Sequence, residues 1–292
     1  MEHITVLLQE AIDALQIQPA SVVVDATLGA GGHARRASTL LGPAGTFVGF
    51  DADATALQDV QPTLDTNATV HLVHRNFAKL DEVLDELGIG EVDAILADLG
   101  WRTDQFISAG RGFSFNDESG LSMTYGDPRD YAFTAADIVN DWAEEDIANV
   151  IYAYGEERQS RRIARAIVEA RAKTRITTGK QLSDIITAAI GKHGKTNPAT
   201  KAFQGLRIAV NDEFEVLEAF IAAAFARLKP GGRLAIISFH SLEDRIVKLA
   251  FRAYTHDQRG VLVSKKPIVA SEAELRANPR ARSAKLRVIE KV

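Results

Sequence analysis

The chain contains no cysteine. That excludes disulfides, thiolate metal sites and a cysteine nucleophile, and it fits a reducing cytosol. No run of ~18 apolar residues occurs, so no membrane span is predicted. The first residues, MEHITVLLQEAIDAL, lack the basic start and small-residue cleavage site of a signal peptide. A cytoplasmic protein without a membrane partner is expected. An overall excess of positive charge is also missing: the net charge is −5, which read globally argues against nucleic acid. What is present is ordinary for a globular protein, with 292 residues, 46% hydrophobic and 25% charged. That length suggests about two domains on a prior of ~150 residues each.

The charge is unevenly spread. Segment 158–175, RQSRRIARAIVEARAKTR, is strongly basic, and so is the tail 280–291, RARSAKLRVIEK. Each reads either as a solvated face or as the footprint of a phosphate backbone. Arg161 and Arg162 are the candidates for an RNA contact.

Along the chain, four short apolar runs end in polar turns. They are Val22 to Asp25, Phe47 to Asp51, Val70 to Val73, and Val92 to Asp98. Helical stretches separate them, which predicts βαβ units and a mostly parallel sheet. The alternation stops at residues 106–133, rich in Gly, Ser, Asp and aromatics. Residues 134–204 read as mostly helical, with Thr134 and Thr178 as N-caps. Alternation then returns. Phe214, Leu217, Ile221, Phe225 and Leu228 share one helix face. Pro230-Gly231-Gly232 stops that helix, and Arg233 to Phe239 reads as a buried strand. Ser241-Leu242-Glu243-Asp244 resembles a capping box for the next helix. The fold expected is a doubly wound α/β domain (1–105 and 205–292) interrupted by an insertion (106–204) facing the substrate.

Gly29-x-Gly31-x-x-Ala34, with Asp51 22 positions after Gly29, fits the dinucleotide fingerprint formally. Asp25 ends the preceding strand and separates two ligands. A carboxylate there would repel a pyrophosphate. It suits a ligand carrying an ammonium and a sulfonium, such as S-adenosylmethionine, with Asp51 on the ribose hydroxyls. A purely structural glycine turn is the alternative.

Among the other polar residues, His71 and His74 would face opposite sides of a strand, so no metal pair is expected. His240, Ser241 and Asp244 form a hydrolase triad only on paper, since triad members converge from distant segments. His240 sits at a strand's carboxyl end and can line a cleft.

Together these motifs resemble the bacterial 16S ribosomal RNA cytosine-N4 methyltransferase family. The segments that carry the resemblance include HITVLLQEAIDAL, VDATLGAGGHA, GFDADATAL, VDAILADLG, RGFSF, NPATKAFQGLRIAVNDE, LKPGGRLAIISFHSLEDRIVK and NPRARSAKLR. They run nearly end to end. The resemblance implies a class I methyltransferase core with an inserted helical domain. It implies S-adenosylmethionine held by Gly31, Gly32, His33, Asp51, Phe77, Asp98 and Gln105, and 16S rRNA or the small ribosomal subunit as partner. No metal is expected. The chemistry needs positioning more than a strong base, because the N4 lone pair is delocalised into the ring. Asp98 is the candidate for direct catalysis as well as cofactor binding. A cytidine in folded RNA must be turned out and stacked, for which Trp101, Phe113 and Phe115 are candidates. Arg111 of the RGFSF segment, Arg207 and Asn211 are further candidates on the substrate side.

The sequence departs from the family in three places. Trp101-Arg102-Thr103-Asp104 replaces Val-Ser-Ser and a hydrophobic residue. Ser122 and Thr124 stand where an acid and a base are usual. Asn197 replaces a histidine. All three fall in segments expected near the substrate, whereas the cofactor motifs are intact.

Overall fold

The computed structural model describes residues 4–99, 110–192, 194 and 196–292. The chain divides into two compact units. One is Met1–Trp101 with Phe214–Val292, the other Arg102–Glu213.

The first unit is built on one seven-stranded sheet. Its strands are β1 (Val22–Asp25), β2 (Thr46–Asp51), β3 (Thr69–His74), β4 (Val92–Asp98), β5 (Leu228–Ser238), β6 (Gly260–Leu262) and β7 (Lys285–Lys291), in the order β3-β2-β1-β4-β5-β7-β6. The pairs among β1 to β5 are parallel; β7 runs antiparallel between β5 and β6. This is the mostly parallel, doubly wound sheet expected from the sequence. Successive side chains along each strand serve opposite faces. Val24, Val48, Phe50, Ile95 and Ile236 pack under α4 (Leu80–Glu86), α10 (Glu213–Arg227) and α11 (Ser241–His256). Val23, Phe47, Ala94, Leu96 and Ile237 pack under α1 (Leu8–Leu15), α2 (Gly32–Ser38) and α3 (Ala54–Val60). A sheet covered on both faces needs near-continuous apolar runs, which is how its strands read.

Three expectations for this unit need correction. Lys285–Lys291 is not a solvated tail but strand β7, inside the sheet. Lys285 and Arg287 spend their charge on Asp244 at 3.0 and 2.6 Å, which leaves them no role as a phosphate footprint. Pro230-Gly231-Gly232 does not stop the helix. The helix ends at Arg227, and the glycines form an irregularity within β5, where the register to β4 jumps from Val92↔Leu228 to Ala94↔Arg233. The cap of α11 is His240 rather than Ser241.

The second unit is helical: α5 (Ala135–Asp141), α6 (Glu144–Ala153), α7 (Ser160–Arg171), α8 (Gly179–Ile190) and α9 (Thr200–Asn211). Thr134 caps α5 in a full capping box with Asp137, and Thr178 caps α8. The unit has its own core, including Ile138, Ile147, Ile151, Ile163, Ile167, Leu182, Ile186 and Leu206. The expected junction at 204/205 falls inside α9. That helix buries Phe203, Leu206, Ala209 and Val210 in the insertion's core, so the unit runs on to Glu213.

Candidate active site

Ligands of open α/β sheets bind beyond the carboxyl ends of the strands, where the strand order reverses. Here that point lies between β1 and β4. Asp25, Asp51 and Asp98 end β1, β2 and β4, so three adjacent strands each present a carboxylate. Asp25 is only 2% exposed. Burial pushes its carboxyl up to about 7. The Thr27 N–H opposes the shift, and the charges of Asp98 and Asp51 add to it.

The local backbone fixes this floor. Thr27 N–H donates to Asp25 Oδ1 at 3.1 Å, and Asp98 N–H donates to Thr27 Oγ1 at 2.6 Å. Thr27 therefore ties the ends of β1 and β4 together. Asp51 Oδ2 accepts from Gly29 N–H at 2.8 Å, and its Oδ1 accepts from Asp53 N–H at 2.9 Å. Those two bonds join the glycine loop to the end of β2. A carboxylate offers about four acceptor sites, so a diol can still be received there.

Gly29 and Gly31 take φ of 53° and 74°, the left-handed region that favours glycine. Gly32 is required for a different reason. A Cβ built there collides with Thr5 Oγ1. The N-terminal segment thus packs on the glycine loop, and His33 Nε2 lies 3.2 Å from the Val6 carbonyl. Asn278 Nδ2 in turn holds the Ile4 carbonyl, and Glu274 accepts from Leu7 N–H. His33 Nδ1 lies 3.9 Å from Asp98 Oδ2. Phe77, just after β3, sets its ring edge-on to Phe220 at 5.0 Å.

The structure brings Asp25, Gly29, Gly31, Gly32, His33, Asp51 and Asp98 to the strand ends and the loop beside them. Trp101 and Gln105 lie outside the described residues. Sequence reasoning missed Thr27 and Thr5. Thr27 had a local signal, as a hydroxyl two positions past a strand-terminal acid. Thr5 had none, because its contact with Gly32 crosses 27 positions.

At the end of β5, His240 Nδ1 accepts from Glu243 N–H at 3.3 Å, and Glu243 Oε2 accepts from Phe239 N–H at 2.9 Å. The accepting Nδ1 puts the proton of a neutral ring on Nε2, which lies 3.0 Å from Glu243 Oε1. His240 thus holds the strand-to-helix turn.

Within the insertion, several candidates have internal work. Arg111 donates to the carbonyls of Thr124, Tyr125 and Gly126. Phe113 stacks on Tyr125 at 5.7 Å, and Phe115 meets Phe203 edge-on at 4.9 Å. Asn211 bonds Met123 O and Tyr125 N, and Arg207 pairs with Glu213 at 2.7 Å. Thr124 is fully buried, with its hydroxyl on the Gly126 carbonyl at 3.0 Å. The departure from the family at Thr124 is therefore a change inside a packed wall. Arg161 and Arg162 are exposed on α7.

A model of the MraW methylase family matches residues 1–292. The chain belongs to that family. Proteins named ribosomal RNA small subunit methyltransferase H are similar to it throughout. The one from Coprothermobacter proteolyticus is 40% identical over 100% of this chain and 96% of its own. Those from Symbiobacterium thermophilum and Geotalea uraniireducens are each 42% identical over 99% of this chain, and over 96% and 98% of their own.

The chain is thus a methyltransferase whose methyl donor is S-adenosylmethionine. The strand-end chemistry fits that donor. A buried carboxylate beside two others suits a ligand bearing an ammonium and a sulfonium, and is hostile to a pyrophosphate. Among the described residues no helix is long and apolar enough to cross a membrane.

Proposed function

We propose that this methyltransferase modifies the exocyclic N4 amine of a cytidine near the decoding centre of 16S rRNA, acting in the cytoplasm on the RNA or the small subunit. The observation that carries the reading is end-to-end similarity to proteins named ribosomal RNA small subunit methyltransferase H, supported by three carboxylates gathered at the strand ends. Asp25, Asp51, Asp98, Gly31, Gly32 and His33 hold the donor, with Phe77 beside them and Gln105 from the segment after β4.

The bound donor supplies an electrophilic methyl group on a good leaving group. The protein's part is alignment. Asp98 stands at the end of β4, beside the switch point, and its carboxylate accepts an N–H of the amine. That contact would pull the nitrogen towards a tetrahedral geometry, and the same carboxylate, or water, would take the proton that the amine gives up on methylation. Most of the acceleration comes from positioning and fixed dipoles. The inserted unit faces the RNA. Trp101, Phe113 and Phe115 stack the turned-out base, and Arg111, Arg207, Asn211 and His240 support the substrate side.

Mass spectrometry of small-subunit rRNA from cells with and without the gene tests this. The N4-methyl mark on one decoding-centre cytidine should vanish on deletion, and the purified protein should restore it. An unchanged nucleoside profile would refute the assignment. The substituted loop Trp101-Arg102-Thr103-Asp104 favours one second reading, a paralogue acting on a different nucleotide. Transfer of labelled methyl groups to another site in the same RNA would establish that instead.

A further inference from the structure

Seven cations lie within 158–175, and the fold treats them unequally. Arg171 donates to the Val139 carbonyl at 3.0 Å, and Arg175 pairs with Asp141 at 3.1 Å. Arg158, Arg161, Arg162 and Arg165 follow the spacing i, i+3, i+4, i+7, and all four are exposed. Within a helix such spacing gathers side chains on one side, as it does for Arg161, Arg162 and Arg165. Arg161, Arg162 and Arg165 occupy the first two turns of α7, and Arg158 stands just before them. The opposite side carries Ile163, Ala164 and Ile167 into the core. Two acids bear on the arginine face. Glu144 Oε1 lies 3.7 Å from Arg165 Nε, and Glu169 follows one turn further along. Arg158, Arg161 and Arg162 have no ion-pair or hydrogen-bond partner among the described residues.

This arrangement works against the helix that holds it. Like charges four positions apart repel, and cations at a helix N-terminus oppose the macrodipole. A local rule broken without internal compensation points to an external one. The compensating partner must be an extended anion, since four guanidinium groups spread over two turns exceed what one small ion can contact. Guanidinium forks match phosphate oxygens two by two. Tyr152, on α6 shortly before Arg158 in the chain, is 62% exposed, and an exposed aromatic can stack a base.

We propose that the Arg158–Arg161–Arg162–Arg165 face of the insertion binds the phosphodiester backbone of the substrate RNA. It deepens the proposed function and rests on RNA being the substrate. The face supplies affinity and register, and it carries no base sequence information.

The test uses the full-length protein and a small-subunit rRNA fragment spanning the decoding centre. Affinity is measured by fluorescence anisotropy across a salt series. Two double variants are compared with the wild type: Arg161→Ala with Arg162→Ala, and as a charge-matched control Lys265→Ala with Lys266→Ala, both exposed on the other unit. Each lost phosphate contact lowers the slope of log affinity against log salt by ~0.7 for a single strand, so the arginine pair should lower it by about 1.4. Affinity near physiological salt should fall tenfold or more. The lysine pair should change neither quantity, and S-adenosylmethionine affinity should be the same in all three proteins. Equal slopes and affinities for wild type and arginine variant would overturn the assignment, as would an equal effect of the lysine pair. Wild-type binding to whole subunits but not to their isolated RNA, still dependent on the arginines, would assign the face to a ribosomal protein instead. Failure of the wild type to bind RNA at all would remove the proposed substrate as well. Arginine-independent RNA binding with methyl transfer intact removes only this inference.

Discussion

Two clusters of like charge sit at opposite extremes of solvation in this chain. Asp25, Asp51 and Asp98 crowd the ends of three neighbouring strands, with Asp25 almost wholly buried. Arg161, Arg162 and Arg165 stand in water on one helix, with exposed Arg158 just before it. Each cluster is suited to a ligand of opposite sign, but the physics of waiting differs. A buried charge is costly to keep ionised, so below about pH 7 Asp25 holds a proton until the ligand arrives. An exposed charge is cheap to keep, so counterions wait in the ligand's place. Capture of the cofactor should therefore respond to pH, and capture of RNA to salt.

The largest effect expected from that contrast is at Asp25. Its carboxyl titrates near 3.8 in the unfolded chain and at about 7 in the folded one. Between those values the folded state holds the extra proton, so stability falls as pH rises from ~4 to ~7 and levels off above. At ~1.4 kcal/mol per pH unit the total is on the order of 4 kcal/mol as an upper figure. Denaturant titrations from pH 4 to 8 should show that loss for the wild type and a smaller one for Asp25→Asn. S-adenosylmethionine favours the ionised form. Its binding below pH 7 should release close to one proton, read by calorimetry in buffers of different ionisation enthalpy, and Asp25→Asn should abolish the release. Proton release that survives the substitution would move the linkage to another group and break the comparison.

A somewhat smaller effect is expected at Gly32. Alanine there drives its methyl into Thr5, and overpacking of this kind costs roughly 1–3 kcal/mol. Gly32→Ala should lower the melting temperature and weaken cofactor binding at least tenfold. Adding Thr5→Gly should recover most of both. No recovery would mean that Gly32 is needed by the ligand and not by the N-terminal segment.

The two clusters were not equally legible in the sequence. The carboxylates could be read because each ends a β-branched run, and a parallel sheet puts such ends on one edge. β1 and β4 have the boundaries that their apolar runs suggest. The arginines could be read as a stripe, but only the structure separates the exposed ones from Arg171 and Arg175, whose partners lie 32 and 34 positions away. β7 was hidden for a related reason. Its inward residues Leu286, Val288 and Ile289 are interleaved with charged ones whose partners are Asp244 and the start of β5. Arg111 and Asn211 have partners hidden for the same cause: each also holds the distant 123–126 segment in place, which only the structure shows.

The smallest effect separates the two units themselves. Thr134 closes α5 with a reciprocal box, its hydroxyl accepting from Asp137 N–H while Asp137 accepts from Thr134 N–H at 2.8 Å. Thr134→Ala leaves the helix's first donors unsatisfied at a cost of about 1 kcal/mol. That corresponds to a fall of roughly 2–4 °C in melting temperature for a protein of 150–250 residues. The insertion has its own core, so the loss should stay within it. Cofactor affinity and its pH dependence should match the wild type, while RNA affinity drops only slightly. A parallel loss of cofactor affinity would show that the insertion's stability is felt at the strand ends. The buried and exposed clusters would then be two ends of one coupled system, and pH would reach RNA binding through the fold.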